Sequence, residues 1–197
     1  MDERLPRTVQ HTLARILAFC FFGALLSRCS GPDRKSVVEH YPDGRLKFEV
    51  VTCADSTHSR YRSYYPDGQL HQDKQLVDGL QNGLVTTYDS LGRLEWKAQF
   101  VNDTLNGPYE DYYPDGRTRT QSGFTHGLQD GEFIEYYQNG NTKSKVLYQA
   151  GKRIGEFLEY HPNGTLLMRA QFELGFIVEY VEYDSLGNVI ETKRAPS

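Results

Sequence analysis

The chain has 197 residues, a formal net charge of -4, 38% hydrophobic residues, 13% aromatic residues and 18 glycines. This length permits one or two domains, and the aromatic and glycine content favours strands and turns over helices. The charge is small and no block of like charges stands out. Nucleic acid is therefore excluded as a partner, because phosphate binding requires a basic stripe.

The N-terminal segment has the pattern of an export signal. Several arginines precede an apolar run at 16–26, which is shorter than the roughly 20 residues that span a bilayer. The run ends at Cys29, and the residues before it resemble the lipobox of bacterial lipoproteins, in which the cysteine carries the lipid after cleavage. Arg28 departs from that pattern, since a small residue is usual there.

This segment predicts the location of the protein. We expect residues 1–28 to form a signal segment and 29–36 to form a linker, with Cys29 as the lipidation site. The resemblance implies a chain that is exported to the bacterial cell envelope and held at a membrane by its lipid. An uncleaved amphipathic N-terminus is the alternative.

One tight-turn phrase recurs through the rest of the chain. Tyr-Tyr-Pro-Asp-Gly stands at 64–68 and 112–116, and variants stand at 40–44, 136–140 and 160–164. Proline presets φ, and glycine takes the left-handed third position of a three-residue hairpin loop. The predicted turn-defining glycines recur every 24 residues, and they are Gly44, Gly68, Gly92, Gly116, Gly140 and Gly164.

A second turn is predicted in each 24-residue unit. Asn-Gly, Asp-Gly or Ile-Gly pairs supply it, at 82–83, 106–107, 130–131 and 154–155. Apolar residues alternate with polar ones between the turns, which is typical of strands, and no room is left for a helix. We therefore predict an all-β fold: an elongated antiparallel meander of about six β-hairpin repeats at 37–193, forming one open twisted sheet, with a tail at 194–197.

The loop length also predicts which residues face each other across the strands. The predicted pairs are Tyr65 with Gln69, Tyr64 with Leu70, Asp111 with Arg119, and Glu135 with Lys143. The aromatic residues Tyr109, Phe133 and Phe157 have the opposite parity to the tyrosines that begin each turn phrase. Either a bulge reorients them or both faces of the sheet carry aromatic side chains.

The repeat motif Gly-x-x-x-Gly-x-aromatic-x-x-Tyr-x-x-Asp/Asn-Gly-x-Leu resembles the variant MORN repeat over residues 37–190. Bacterial proteins built from this variant are often labelled antitoxin components of toxin–antitoxin pairs. Only fragments of the ordinary MORN unit are present, since Trp96 is the sole tryptophan and His126-Gly127 the only His-Gly pair. The lipid binding proposed for ordinary units is therefore not implied here.

No constellation of reactive residues stands out. No two histidines have metal-ligand spacing, and neither a nucleophile elbow nor a P-loop occurs. We predict no catalytic residue, no metal and no cofactor, and a protein that is not an enzyme. Cys53 is interpreted as a small packing residue.

Two surfaces are candidates for binding. The first is a column of tyrosines, Tyr64, Tyr88, Tyr112, Tyr136 and Tyr160, which recur every 24 residues. These rings either form a groove for an extended partner or glycan, or cover one another as part of a single-layer sheet. The second is the irregular segment 53–62, with Arg60 and Arg62.

The sequence thus favours a non-enzymatic, envelope-anchored module that binds or scaffolds a protein partner by strand addition. The alternative is an antitoxin or immunity protein that neutralises a toxic partner by direct binding, and a carbohydrate-binding module is a third possibility. Open sheet edges also permit end-to-end self-association.

Overall fold

The computed structural model describes residues 35–53 and 57–195, so the predicted signal segment and Cys29 lie outside the described residues. All regular structure in the described part is β-strand. The strands are β1 (Lys35–His40), β2 (Leu46–Thr52), β3 (His58–Tyr64), β4 (Leu70–Val77), β5 (Leu80–Tyr88), β6 (Leu94–Val101), β7 (Thr104–Tyr112), β8 (Thr118–Thr125), β9 (Leu128–Gln129), β10 (Gly131–Tyr136), β11 (Thr142–Gln149), β12 (Lys152–Tyr160), β13 (Leu166–Glu173), β14 (Phe176–Tyr183) and β15 (Val189–Arg194).

These strands form one antiparallel sheet in chain order, except that the short β9 pairs only with β8, so that β10 follows β8 along the sheet. Substantial contacts between described strands occur only between hydrogen-bonded neighbours. The predicted all-β meander is therefore confirmed, as an open sheet in a single layer. Among the described residues, no helix is long and apolar enough to cross a membrane.

The Tyr-Pro-Asp-Gly turns are three-residue hairpin loops. In the turn after β3, the Tyr65 N–H donates to the Gln69 carbonyl at 2.8 Å, and Tyr64 pairs with Leu70, as the sequence predicted. The Asp67 carboxylate accepts the Gln69 N–H at 3.0 Å, which holds the loop closed. At the third loop position, φ is between 75° and 94° in Gly44, Gly68, Gly92, Gly116, Gly140 and Gly164.

Two of the predicted cross-strand pairs are wrong by one residue. Asp111 pairs with Thr120 instead of Arg119, and Glu135 pairs with Ser144. The reason is a bulge that follows each of these turns, where the second strand carries one extra residue. The expected ion pairs nevertheless form diagonally: Arg119 Nε lies 2.9 Å from Asp111 Oδ1, and Lys143 Nζ lies 2.9 Å from Glu135 Oε1.

The second turns are not where the sequence predicted them. They are two-residue loops in which both residues have positive φ, at Asp78-Gly79, Asn102-Asp103, His126-Gly127, Ala150-Gly151 and Leu174-Gly175. This conformation matches the twist of the flanking strands. The predicted Asn-Gly, Asp-Gly and Ile-Gly pairs lie four residues C-terminal to these loops, inside or beside a strand.

The glycines of those misassigned pairs serve a second bulge. Residues 106–108 of β7 lie opposite the single residue Gln99 of β6, and Gly107 has φ of 128°. A β-carbon on Gly107 would lie 2.8 Å from the Gln99 β-carbon. Glycine is required here because the two strands approach closely while the chain bends.

The small buried side chains lie on one face of the sheet, here called the core face. Val85 pairs with Ala98, which pairs with Tyr109, so these three residues share that face. Tyr109 stacks on Trp96 at a centroid distance of 6.4 Å and meets Phe124 edge-on at 6.1 Å. Aromatic rings thus cover the small residues of the core face, which in a two-layer protein would be covered by a second sheet or by helices.

Both faces of the sheet carry aromatic residues, which decides between the two alternatives left by the sequence. Tyr109 lies on the core face, whereas Tyr112 lies three residues along β7 on the opposite face. Phe133 and Phe157 are on the core face like Tyr109, because they pair with Val146 and Ala170. Cys53 is buried.

Candidate binding surfaces

The predicted column of Tyr64, Tyr88, Tyr112, Tyr136 and Tyr160 lies on the face opposite the core face, with half-buried rings. The hydroxyl of Tyr64 donates to Glu49 Oε1 at 2.9 Å, and that of Tyr136 donates to Gln121 Oε1 at 3.0 Å. In the same way, the Tyr112 hydroxyl donates to Glu110 Oε2 at 2.5 Å. Three of the five phenols therefore form internal hydrogen bonds.

The charge around Tyr112 shows what this column does electrostatically. Lys97 Nζ lies 3.1 Å from Glu110 Oε2 and 5.6 Å from the centre of the Tyr112 ring. The hydrogen bonds to Tyr112 and Glu110 raise the pKa of Lys97, and burial raises the pKa of the Tyr112 phenol. The lysine thus stays charged and the phenol neutral at physiological pH, which preserves the network.

The predicted arginine surface is also engaged within the sheet. Arg60 binds Asp73 with two nitrogens, one of which is the Nε at 2.7 Å from Oδ1. Arg62 lies 3.4 Å from Glu49 and 3.5 Å from Asp73. The two arginines therefore join Tyr64 in one network through Glu49, and their charges are paired with carboxylates.

A second series of tyrosines, which the sequence reasoning missed, connects successive hairpins. Each stands at the first position of a turn and donates its hydroxyl to a backbone carbonyl 23 residues further on, at 2.7–2.9 Å. These residues, here called the clamp tyrosines, are Tyr41, Tyr65, Tyr113 and Tyr137, and the acceptors are the carbonyls of Tyr64, Tyr88, Tyr136 and Tyr160. The sequence did contain a signal for these residues, because a second tyrosine stands directly before the proline in the phrase Tyr-Tyr-Pro-Asp-Gly.

Asp89 interrupts this series. Its carboxylate stays in its own turn, where it accepts the N–H groups of Leu91 and Arg93 and the Arg93 Nε at 2.7 Å. The Arg93 N–H, together with the other donors of the turn, holds the pKa of the Asp89 carboxyl below its usual value. Aspartate is too short to reach the next hairpin, so the clamp is missing here.

Arg93 is drawn away from the next hairpin as well. At the same position of two other units, Arg45 and Arg117 donate to carbonyls of the following turn, those of Pro66 and Gln138, at 2.7 Å. Arg93 instead binds Asp89. Two kinds of link between hairpins are therefore absent at one junction.

A cavity of about 300 Å³ lies at that junction, here called the Asp89 cavity. Asp89, Tyr112 and Tyr113 line it, together with the aromatic pair of Trp96 and Tyr109. Asp111 and Arg119, which are paired with each other, complete its polar side.

The described residues contain no group of three or more His, Cys, Asp or Glu side chains placed to hold a metal ion. His161 occupies a clamp position, and its Nε2 is buried without a hydrogen bond. A lone imidazole of this kind does not form a metal site.

The geometry defines a class of protein: β-hairpin repeats in one sheet, in which the clamp tyrosines fasten four of the hairpins to the next one. Three segments, at 57–77, 129–150 and 153–173, match the family described as "MORN repeat variant". Each segment contains one hairpin that closes on a turn of the predicted series. These matches support the resemblance to the variant MORN repeat in those three segments.

No curated protein matches the chain. Among solved structures, one crystal structure of a protein with unknown function from Bacteroides fragilis is similar at 9% identity. The similarity covers 83% of this chain and 94% of that one, with a TM-score of 0.14, and we draw nothing from it.

Proposed function

We propose that the chain is a non-enzymatic module that binds a protein partner at the open end of its sheet. The observation that supports this most directly is the last strand, β15, which has a hydrogen-bonded neighbour on one side only. Its residues Val189 and Ile190 are 60% and 65% exposed. Exposed apolar residues on an unpaired edge are typical of an interaction surface.

Strand addition is the mode of binding that fits this edge. A free edge offers a row of backbone N–H and C=O groups, which an extended segment of a partner satisfies as a new strand. β15 begins with two exposed apolar residues, and its charged residues, Glu191, Lys193 and Arg194, lie in its C-terminal part. The apolar N-terminal part of β15 is therefore the part that suits strand addition, since charge on an edge strand disfavours such pairing.

The anchoring of this module at the bacterial envelope is part of the proposal. It is supported by the apolar run at 16–26 and by Cys29 after it. One lipid chain alone binds membranes weakly, so stable attachment requires the multiple chains of a bacterial lipoprotein. Cys29→Ala should move the protein from the membrane fraction to the soluble fraction; unchanged fractionation would contradict the anchor.

Site-directed photocrosslinking in the native envelope tests the binding function. A photoreactive residue at position 190 of the full-length chain should capture a discrete protein. The same residue at position 147 is the control, because Leu147 is exposed but lies in β11, which has a strand on both sides. The absence of an adduct at position 190, or the same adducts at both positions, would contradict the proposal.

The identity of the captured protein also separates the scaffold from the antitoxin alternative. A partner that arrests growth when produced alone, and is relieved by this chain, would make the chain a neutralising protein.

A further inference from the structure

The Asp89 cavity occupies the place that a clamp tyrosine fills elsewhere in the sheet. In the preceding hairpin, Tyr65 extends from its turn and donates to the Tyr88 carbonyl at 2.9 Å. In the following one, Tyr113 does the same to the Tyr136 carbonyl at 2.7 Å. By the repeat, a tyrosine at position 89 would donate to the Tyr112 carbonyl, and both of these residues line the cavity.

The groups that would receive such a ring are present. In the described part of the chain, no side chain donates to the Tyr112 carbonyl. Trp96 and Tyr109, whose rings are stacked with an interplanar angle of 23°, supply an aromatic wall. Aromatic rings pack favourably against such walls, beyond the area that they bury.

Four of the five charged side chains around the cavity are matched with one another: Asp89 binds Arg93 at 2.7 Å, and Asp111 binds Arg119 at 2.9 Å. The fifth, Glu95, has no ion pair within the described part of the chain. An anionic ligand would have to break one of these pairs or lie beside the Glu95 carboxylate. A neutral ring with one hydrogen-bond donor suits the cavity better, because it leaves both ion pairs intact.

We propose that the Asp89 cavity binds a phenol ring, the side chain of a tyrosine in the protein partner, with its hydroxyl donating to the Tyr112 carbonyl. This inference rests on the proposed protein-binding function and names one residue type that the partner presents. The missing clamp tyrosine is thus supplied from outside the chain, and the partner fastens the junction between two hairpins.

The sole tryptophan provides the readout. Trp96 gives the one indole N–H cross-peak in a ¹H–¹⁵N correlation spectrum of the full-length protein, and it lines the cavity. Titration with N-acetyl-tyrosinamide should shift this peak with a Kd on the order of 1 mM. N-acetyl-phenylalaninamide, which lacks the hydroxyl, should bind about 2- to 10-fold more weakly, as expected for the loss of one hydrogen bond.

Two variants with the same substitution at equivalent positions sharpen the test. Asp89→Tyr should fill the cavity, abolish the response to N-acetyl-tyrosinamide and raise the melting temperature. Asp184→Tyr is the matched control, because Asp184 stands in the same Tyr-Asp-Ser-Leu-Gly phrase, at the turn between the last two described strands and outside the lining of the cavity. It should leave the titration unchanged.

The inference is overturned if the Trp96 peak does not respond to N-acetyl-tyrosinamide. It is also overturned if the response persists in Asp89→Tyr, or if the phenylalanine amide binds equally well. Photocrosslinking at position 190 separates this failure from that of the proposed function. A partner captured without any response of Trp96 contradicts the phenol site alone, whereas a specific response without a partner supports the site and contradicts the partner.

Discussion

At the scale of single residues, the clamp tyrosines make contacts that the rest of the repeat does not. The Tyr113 hydroxyl reaches the Tyr136 carbonyl, which lies one hairpin further along the sheet. A ring that is half-buried with a hydroxyl bonded to backbone is a common arrangement of tyrosine. Here it fastens two repeats in addition to the strand ladder and the link from Arg117 to the Gln138 carbonyl.

Tyr113→Phe should lower the free energy of unfolding by about 0.5–1.5 kcal/mol, because the phenol hydrogen bond is lost while the ring remains. Tyr88→Phe is the matched control, since no hydrogen bond of the Tyr88 hydroxyl is found in the described part of the chain, and it should have little effect. Urea unfolding measures both variants. Equal decreases in the free energy of unfolding of the two variants would show that the hydroxyl bond of Tyr113 does not stabilise the protein.

The turn aspartates give the protein an acid-sensitive component. The Asp115 carboxylate accepts the Arg117 N–H at 3.0 Å, and this bond lowers the pKa of Asp115 in the folded state. A lowered folded pKa adds stability above the unfolded value of about 3.9, and this stability is lost as the pH falls through the folded pKa. Asn139 and Asn163 fill the same position in later units with a neutral acceptor.

Asp115→Asn should therefore preserve the turn, and the melting temperature of the variant should decrease less than that of the wild type as the pH is lowered. Thermal unfolding of wild type and variant, from neutral pH to about pH 2, measures the difference. If both proteins lose stability in parallel through this range, the carboxylate of Asp115 does not contribute as described.

At the scale of the elements, the sequence predicted one kind of turn and misplaced the other. Tyr-Pro-Asp-Gly has one geometry that suits it, so the loop and the pairing of Tyr64 with Leu70 followed from the residues alone. Asn-Gly at 106–107 has the composition of a hairpin turn, but the turn is Asn102-Asp103. The close approach of Gly107 to Gln99 is a contact between strands, which the local sequence does not reveal.

The bulge glycines are expected to differ from one another in a measurable way. Gly107→Ala places a β-carbon against Gln99 at a φ of 128°, a conformation that is nearly confined to glycine, and should cost about 1–3 kcal/mol. Gly155 has φ of 68° and open space around its β-carbon position. Gly155→Ala should therefore cost less than Gly107→Ala, by chemical denaturation. The reverse order would contradict the assignment of the bulge.

The candidate sites were predictable to different degrees. The tyrosine column is visible in the sequence because its members recur every 24 residues. Its bonding to Glu49, Glu110 and Gln121 requires knowledge of which face each residue occupies, and two bulges in every unit alter the simple alternation. The Asp89 cavity exists because position 89 lacks the ring of a clamp tyrosine. The sequence alone does not reveal this, because the place of that ring is known only from the structure of the other units.

At the scale of the whole molecule, the described strands contact only their neighbours. The stability of such an array is approximately a sum over units and the junctions between them, so a local defect has local consequences. This separates the protein from a globular domain, in which a single core couples distant segments.

Native-state hydrogen exchange of wild type and Gly116→Val tests this single-layer organisation most directly. Valine at a φ of 85° strains the turn between β7 and β8, although nothing lies within 4 Å of its β-carbon. The account predicts that amide protection falls in β7 and β8 and their neighbours, and is unchanged in β1 to β3 and β13 to β15. A uniform loss of protection across all strands would contradict it.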